Sequence, residues 1–268
     1  MKGLPLTLAF LALPAFSAPQ LSSEIQAGDV WLTAGVSQSD ADWDLKNPDT
    51  GVTFSDKQSS DEFIVSSLFA LDNNSDFTPV IGFSFKNEKE DDDTSKIFSG
   101  KLGALKKTSS GKNIGLFVEY NHSDNPDATR GSYGAELILQ TSDKLSKINN
   151  QLELSMDIPK AEGINKGGRT LAVINTLKIS SSDEVDLELF AGIGVISDIN
   201  SKTVDTKAKS DPFFGLGGKV YFNLDKSLTV AAGISKAFAG ATYSDSFGNK
   251  VNADLDDTSF GFQLISRF

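Results

Sequence analysis

The stretch with most chemical potential is Tyr120-Asn121-His122-Ser123-Asp124, where the only histidine of the chain stands beside a hydroxyl and a carboxylate. Nucleophilic catalysis needs a base and a nucleophile within hydrogen-bond reach. In an extended chain, adjacent residues point to opposite faces. Ser123 therefore turns away from His122, and the residue that shares its face is Asp124. Glu119 and Asp124, taken with His122, imitate part of an acid-pair hydrolase, so a rim hydrolase is the alternative reading of this stretch. A second constellation is Glu88-Lys89-Glu90-Asp91-Asp92-Asp93. Its oxygen donors suit calcium or magnesium, but the loop spacing of an EF-hand is missing. It reads as a solvated loop that divalent ions could bridge to lipid phosphates. With one histidine and no cysteine, a transition-metal site is not expected, nor is any cofactor. Gly-rich phosphate loops between a strand and a helix are absent from the sequence.

A third set of charges is spread along the chain and alternates with aliphatic residues. Ile114, Leu116, Val118 and Tyr120 share one face of an extended segment, against Asn113, Gly115, Glu119 and Asn121 on the other. A later segment repeats the pattern, with Val185, Leu187, Leu189, Ala191, Ile193 and Val195 against Asp186, Glu188, Gly192 and Gly194. If the aliphatic faces meet lipid, the alternate positions line a bore. They include Lys86, Lys101, Glu119, Glu136, Glu153, Asp157, Lys178, Asp186, Glu188, Lys219 and Arg267. Such a wall either borders a small aqueous path that favours polar or cationic solutes, or pairs its charges across the bore and closes it.

The elements that would position these residues follow from the whole chain. The opening Met1 to Ala18 has a charged start, an apolar run and a small-residue exit, the form of a signal peptide cleaved near residue 17 or 18. Residues 19–28 read as a periplasmic lead and 29–268 as one barrel domain. Absence of cysteine removes disulfides from the stability account. A net charge of −11 argues against nucleic acid as a partner. After the signal, no apolar run reaches the roughly twenty residues of a spanning helix. A closed barrel is the other way to satisfy every backbone group in lipid.

Twelve alternating segments fit that expectation: Asp29–Ser39, Asp61–Asp72, Phe77–Asn87, Lys96–Lys106, Lys112–His122, Gly131–Gln140, Ile148–Ile158, Gly168–Ile179, Glu184–Ile196, Asp211–Asn223, Ser227–Ala237 and Asp256–Phe268. Short breaks alternate with long ones, as in an antiparallel transmembrane barrel with short periplasmic turns and longer outer loops. Asp40–Ser60 and Phe238–Leu255 are the longest outer loops on this reading, and they would be the contact region of a structural or adhesive surface barrel, a further alternative to a channel. Phe85, Tyr120, Tyr133, Phe214 and Phe260 fall near the outer ends of lipid-facing rows, and Phe69, Phe77, Phe222 and Phe268 near the inner ends. Two aromatic girdles are expected at the two interfaces. Three features resist the scheme: Ile64 and Leu68 make their segment apolar on both faces, Asn175 falls on the lipid side, and Pro79 lacks a ladder donor.

The last thirteen residues place Phe260, Phe262, Leu264 and Phe268 on one face, with Gly261, Gln263 and Arg267 between them. This ending closely resembles the terminal strand of bacterial outer-membrane β-barrels. The resemblance implies that Phe260, Gly261, Phe262, Leu264 and Phe268 form the signal read by the barrel-assembly machinery. It also implies a place in the outer membrane among its lipids and lipopolysaccharide, and a porin-like role for small polar solutes. In that role Lys101, Glu119, Glu136, Glu153, Asp157, Asp186, Glu188, Lys219 and Arg267 line the pore. The His122 stretch resembles the active-site region of outer-membrane phospholipase A, itself twelve-stranded. There the nucleophilic serine lies two residues from the histidine and an asparagine follows on the next strand. Here those positions hold Asp124 and, after Ser132-Tyr133, Gly134. An enzyme is therefore not the expectation.

Overall fold

The computed structural model describes residues 25–72, 76–90, 93–107, 112–124, 131–142, 146–158, 165–166, 169–180, 182, 184–196, 199–201, 206–244 and 249–268. The proposed signal peptide and residues 19–24 of the lead lie outside them. Strands appear where the period-two alternation runs: β1 (Val30–Lys46), β2 (Thr53–Ala70), β3 (Phe77–Glu90), β4 (Asp93–Lys107), β5 (Lys112–Ser123), β6 (Gly131–Ser142) and β7 (Ser146–Ile158). After a short β8 (Asn165–Lys166) come β9 (Arg169–Ser180) and β10 (Val185–Ile196). Two more short strands, β11 (Ile199–Ser201) and β12 (Thr206–Ser210), precede β13 (Phe213–Asn223), β14 (Leu228–Ser244) and β15 (Lys250–Arg267).

Twelve of these form one closed antiparallel barrel, in the order β1 to β7, β9, β10, β13, β14, β15 and back to β1. Closure joins the two ends of the chain segment that builds the barrel. Trp31 stands opposite Arg267. Beyond that pair, the Phe268 N–H donates to the Val30 carbonyl at 2.9 Å and the Val30 N–H to the Phe268 carbonyl at 3.0 Å. No long edge is left between these strands, which is the condition for a sheet in hydrocarbon. The short strands β12, β11 and β8 add to the outer part of β14 in succession.

The apolar rows face outward. Leu102, Leu116, Val118, Leu139, Leu154, Leu189, Ile193, Leu216, Ile234, Phe262 and Leu264 are all exposed on the barrel surface. Large exposed apolar surface of this extent marks contact with lipid or protein, and here it encircles the wall. At its outer margin aromatic rings pair across strands: Phe85 with Phe98 at 5.0 Å, Tyr120 with Tyr133 at 5.1 Å, and Phe214 with Phe238 at 5.7 Å. Phe77, Phe222 and Phe268 are exposed at the periplasmic margin. Ile64 and Leu68 are buried in the bore, so the doubly apolar segment is a strand with apolar residues on its inner face too. Asn175 does point outward and is exposed. Pro79 sits opposite Ala104 near the start of β3, without breaking the ladder.

The strands run further than the hydropathy pattern marks. Most of the expected loop Asp40–Ser60 is paired strand, with β1 and β2 in register to Lys46 and Thr53. The same holds for Phe238–Leu255, where β14 and β15 pair as far as Ser244 and Lys250. Polar residues beyond the membrane keep a ladder as well as apolar ones do, so lipid-facing hydropathy sets where the belt ends and not where the strand ends. The β1–β2 hairpin closes at Asn47-Pro48-Asp49-Thr50-Gly51. The Asn47 side-chain oxygen accepts from the Asp49 and Thr50 N–H groups at 2.9 and 3.0 Å. Gly51 adopts a φ of 70°, open to glycine at little cost. The acidic run from Glu88 is also strand, with Glu88 opposite Ser95 and Glu90 opposite Asp93, and residues 91–92 lie outside the described chain.

Candidate functional site

Alternation turns the second row of every strand into the bore, and register decides which charges meet there. Lys101 on β4 stands opposite Glu119 on β5, and Glu136 on β6 opposite Glu153 on β7. Two carboxylates directly opposite on one face repel. Lys101 relieves this by reaching past β5: its ammonium lies 2.7 Å from Glu136 and 3.6 Å from Glu119. The Gln151 amide donates to Glu153. The Lys101 ammonium also lies 5.6 Å from the centre of the Phe117 ring. Gly103 leaves room for that ring, since a Cβ there would stand 2.3 Å from it and 2.5 Å from the Leu116 carbonyl.

Closer to the outer rim, Lys86 on β3 lies 2.9 Å from Glu62 and 3.4 Å from Glu88. Nearer the periplasmic turns, on the other side of the barrel, Lys178 is 3.6 Å from Asp186. The Tyr221 hydroxyl donates to Glu188 at 3.0 Å, and the Lys178 ammonium sits 4.7 Å from the Tyr221 ring centre. Lys178, Glu188 and Lys219 are 4, 5 and 5% exposed. Charges this deeply buried are stable only when paired and hydrogen-bonded.

Apolar residues fill the wall that the charges leave. At the periplasmic level Trp31, Leu68, Ala70, Val80, Phe117 and Ile138 form one cluster from β1, β2, β3, β5 and β6. Ile25, ahead of the first strand, joins that cluster at 0% exposure. A turn holds it there, with the Gly28 N–H donating to Ala70 and the Asp29 N–H to Gln26, at 2.8 and 2.9 Å. In the outer half a second cluster spans β9, β13, β14, β15 and β1, through Ala172, Phe213, Ala241, Leu255, Ala253 and Trp43. The polar stripe thus runs obliquely, from β9, β10 and β13 at the periplasmic level, through Lys101 and its partners, to Glu62, Lys86 and Glu88 toward the outside.

The positions expected to line the pore divide. Lys101, Glu119, Glu136 and Glu153 come together in one group, and Asp186, Glu188 and Lys219 lie in another. Asp157 lies opposite Ser132 in register, and its side chain is outside the described set. Arg267 holds its guanidinium over the Trp31 ring at 5.1 Å, and among the described residues no carboxylate forms an ion pair with it. Glu62, Glu88 and Asp257 face the same interior but are absent from the expected bore positions: Glu62 and Asp257 stand near the ends of the expected segments Asp61–Asp72 and Asp256–Phe268, and Glu88 lies one residue past Phe77–Asn87. The unbroken alternation was the signal that could have found them. His122 lies on the outward row of β5, while Ser123 is buried on the inward row. Asp124 accepts the Lys96 N–H at 2.6 Å. Among the described residues the three do not converge.

Closed, antiparallel, aliphatic outside and charged within, the chain has the architecture of an outer-membrane β-barrel. Its sequence matches no protein-family model and no curated protein. Its fold is similar to that of an outer membrane channel from Pseudomonas putida F1, with a TM-score of 0.69 and 9% identity over 94% of this chain and 99% of that one. The translocator domain of the autotransporter NalP from Neisseria meningitidis is similar with a TM-score of 0.53 and 14% identity, over 98% of this chain and 96% of that one. The transport unit of the autotransporter AIDA-I from Escherichia coli gives 0.50 and 9%, over 96% and 95%. At these identities the likeness is one of fold.

Proposed function

We propose that the protein is a narrow, porin-like channel of a bacterial outer membrane that passes small polar or cationic solutes. The carrying observation is the polar stripe that crosses the bore obliquely between two apolar clusters. The carboxylates that face the bore, Glu62, Glu88, Glu119, Glu136, Glu153, Asp186, Glu188 and Asp257, outnumber the cations that do, Lys86, Lys101, Lys147, Lys178, Lys219 and Arg267. A bore lined by excess negative charge raises the local concentration of cations. The channel from Pseudomonas putida, near-identical in extent, supports the reading at the level of fold. The assembly role of Phe260, Gly261, Phe262, Leu264 and Phe268, and contact with lipids and lipopolysaccharide, belong to the same proposal. A rim hydrolase at His122 is the weaker reading, because Ser123 points into the wall opposite to the histidine.

Planar-bilayer recording tests the channel directly. Purified barrel in a potassium chloride gradient should show small unitary conductance and a reversal potential on the cation side. Silence at every voltage from protein that is folded on a heat-modifiability gel would reject it. Glu119→Gln combined with Glu136→Gln should shift the reversal potential toward zero, and an unchanged value would remove those two residues from the selectivity mechanism.

A further inference from the structure

Toward the periplasm the bore is packed shut. Leu105, Phe117, Ile138, Tyr221, Thr229 and Ile265 stand on the inward rows of β4, β5, β6, β13, β14 and β15, and none is more than 2% exposed. Further out, water reaches the wall. The Glu88 and Glu119 side chains keep 26 and 33% of their surface exposed. A Cβ added to Gly134, opposite Glu119, would meet only ordinary contacts at 3.6 and 4.0 Å. A channel closed at its inner level needs a part that moves. The twelve barrel strands cannot supply it, because each is held by neighbours on both sides, and leaving the wall would bare its backbone groups to lipid.

One side chain packed at this level belongs to no strand. Among the described residues, Ile25 is the only buried residue outside the strands, and it clusters with Leu68, Val80, Phe117 and Ile138 inside the inner mouth. The chain reaches it through a tight turn. The Asp29 N–H donates to the Gln26 carbonyl at 2.9 Å, and the Asp29 carboxylate accepts the Gln26 N–H at 2.8 Å. Within that turn Gly28 has a φ of 87°, a value that residues with a side chain rarely adopt. Ala70 of β2 anchors the turn by accepting the Gly28 N–H and donating to the Asp29 carbonyl. Ahead of that anchor, Gln26 and Ala27 are exposed. Among the described residues no hydrogen bond ties residues 25–27 to a strand. A segment held by one buried side chain and a solvent-exposed turn opens more easily than the wall around it.

We propose that this N-terminal lead is the inner gate of the bore. Ile25 is the stopper, seated among Leu68, Val80, Phe117 and Ile138, and Gly28 is the hinge on which it swings. Hinges of this kind are a few residues at the end of an element that absorb the backbone change. Withdrawing Ile25 opens the seal on the side of β1 to β6 and breaks no bond of the ladder. The gating role rests on the channel reading. The seat and its release do not, and both are measurable without conductance.

The chain has no cysteine, so Val80→Cys sets a single thiol in the seat, and Ile138→Cys does the same should the first variant fail to fold. A small cationic methanethiosulfonate, 2-(trimethylammonium)ethyl methanethiosulfonate, modifies thiols that water reaches. With the native lead, barrel folded in detergent should react slowly. Ile25→Ser, which removes the stopper, should speed the reaction at least tenfold. Gly28→Ala should do likewise through the backbone alone, since a Cβ there would meet nothing within 4 Å. Ile25→Leu, which keeps an apolar stopper, should stay slow. A thiol at Glu119→Cys, already open to water, should react at the same rate whatever the lead carries. In planar bilayers Ile25→Ser should raise the open fraction severalfold. Unchanged labelling of the seat in both Ile25→Ser and Gly28→Ala would overturn the gate, as would an equal acceleration at Glu119→Cys, which would mean general loosening. Faster seat labelling with silent bilayers would keep the movable stopper and remove the channel, while conductance with unchanged labelling would do the reverse.

Discussion

Replacing Lys101 with methionine, a side chain of similar length without the charge, isolates the centre of the polar stripe. The ammonium lies 2.7 Å from Glu136 and 3.6 Å from Glu119. Its loss leaves Glu136 facing Glu153 across β6 and β7 with no cation beside them. Removing one partner of a buried pair costs about 3–5 kcal/mol, since the other charge stays behind unpaired. The second contact adds at most about 1 kcal/mol, because Glu119 is 33% exposed and can take water instead. Urea unfolding in detergent reads this. With a slope of about 1–3 kcal/mol per molar, the midpoint should fall by about 1 M or more. Lys101→Met with Glu136→Gln should cost less than the sum of the two single changes, with a coupling of about 0.5–3 kcal/mol. Under the same change the cation preference should rise. A loss below about 1 kcal/mol together with strict additivity would show that the pair is not a buried unit.

Gly103→Ala should destabilise by about 1–3 kcal/mol, because the new Cβ would stand 2.5 Å from the Leu116 carbonyl, and backbone cannot rotate away; an unchanged unfolding midpoint would contradict that packing. Deleting Phe268 removes both hydrogen bonds to Val30 and the last residue of the proposed assembly signal. The fraction of heat-modifiable barrel in outer-membrane preparations should drop severalfold, and normal assembly would sink the signal. At the periplasmic turn Asp225 accepts from the Ser227 hydroxyl and from the Ser227 and Leu228 N–H groups. These hydrogen bonds hold its carboxyl below the ordinary carboxylate range, the Ser227 hydroxyl contributing most. A folded value below the unfolded one means the stabilisation is present above the unfolded pKa, about 3.9, and lost as pH falls through the folded value. Asp225→Ala should therefore lower stability at pH 7 and lose its effect in strong acid, whereas a pH-independent difference would point to turn geometry alone.

Much of the architecture was legible in the residues themselves. Alternation such as Ile114, Leu116, Val118 and Tyr120 depends only on the pleat, which sends neighbours to opposite faces, so it fixed both strand and lipid face. Phe260 to Phe268 showed which strand would close the barrel. Aromatic positions such as Tyr120 and Tyr133 showed where the hydrocarbon ends. The extent of the long hairpins was not legible, because beyond the membrane both faces are polar and Asp42 opposite Asp256 carries no hydropathy signal. Nor could the sequence say which charges meet. Lys101 and Glu136 are 35 residues apart, and their contact depends on register across three strands. That Arg267 would stack on Trp31 depended on barrel closure. That Asp257 would stand between two alanines required the pairing of β1, β14 and β15. One strand determines which way each side chain faces; only the closed sheet determines what it faces, because a register shift by a single pair would exchange every partner in the bore.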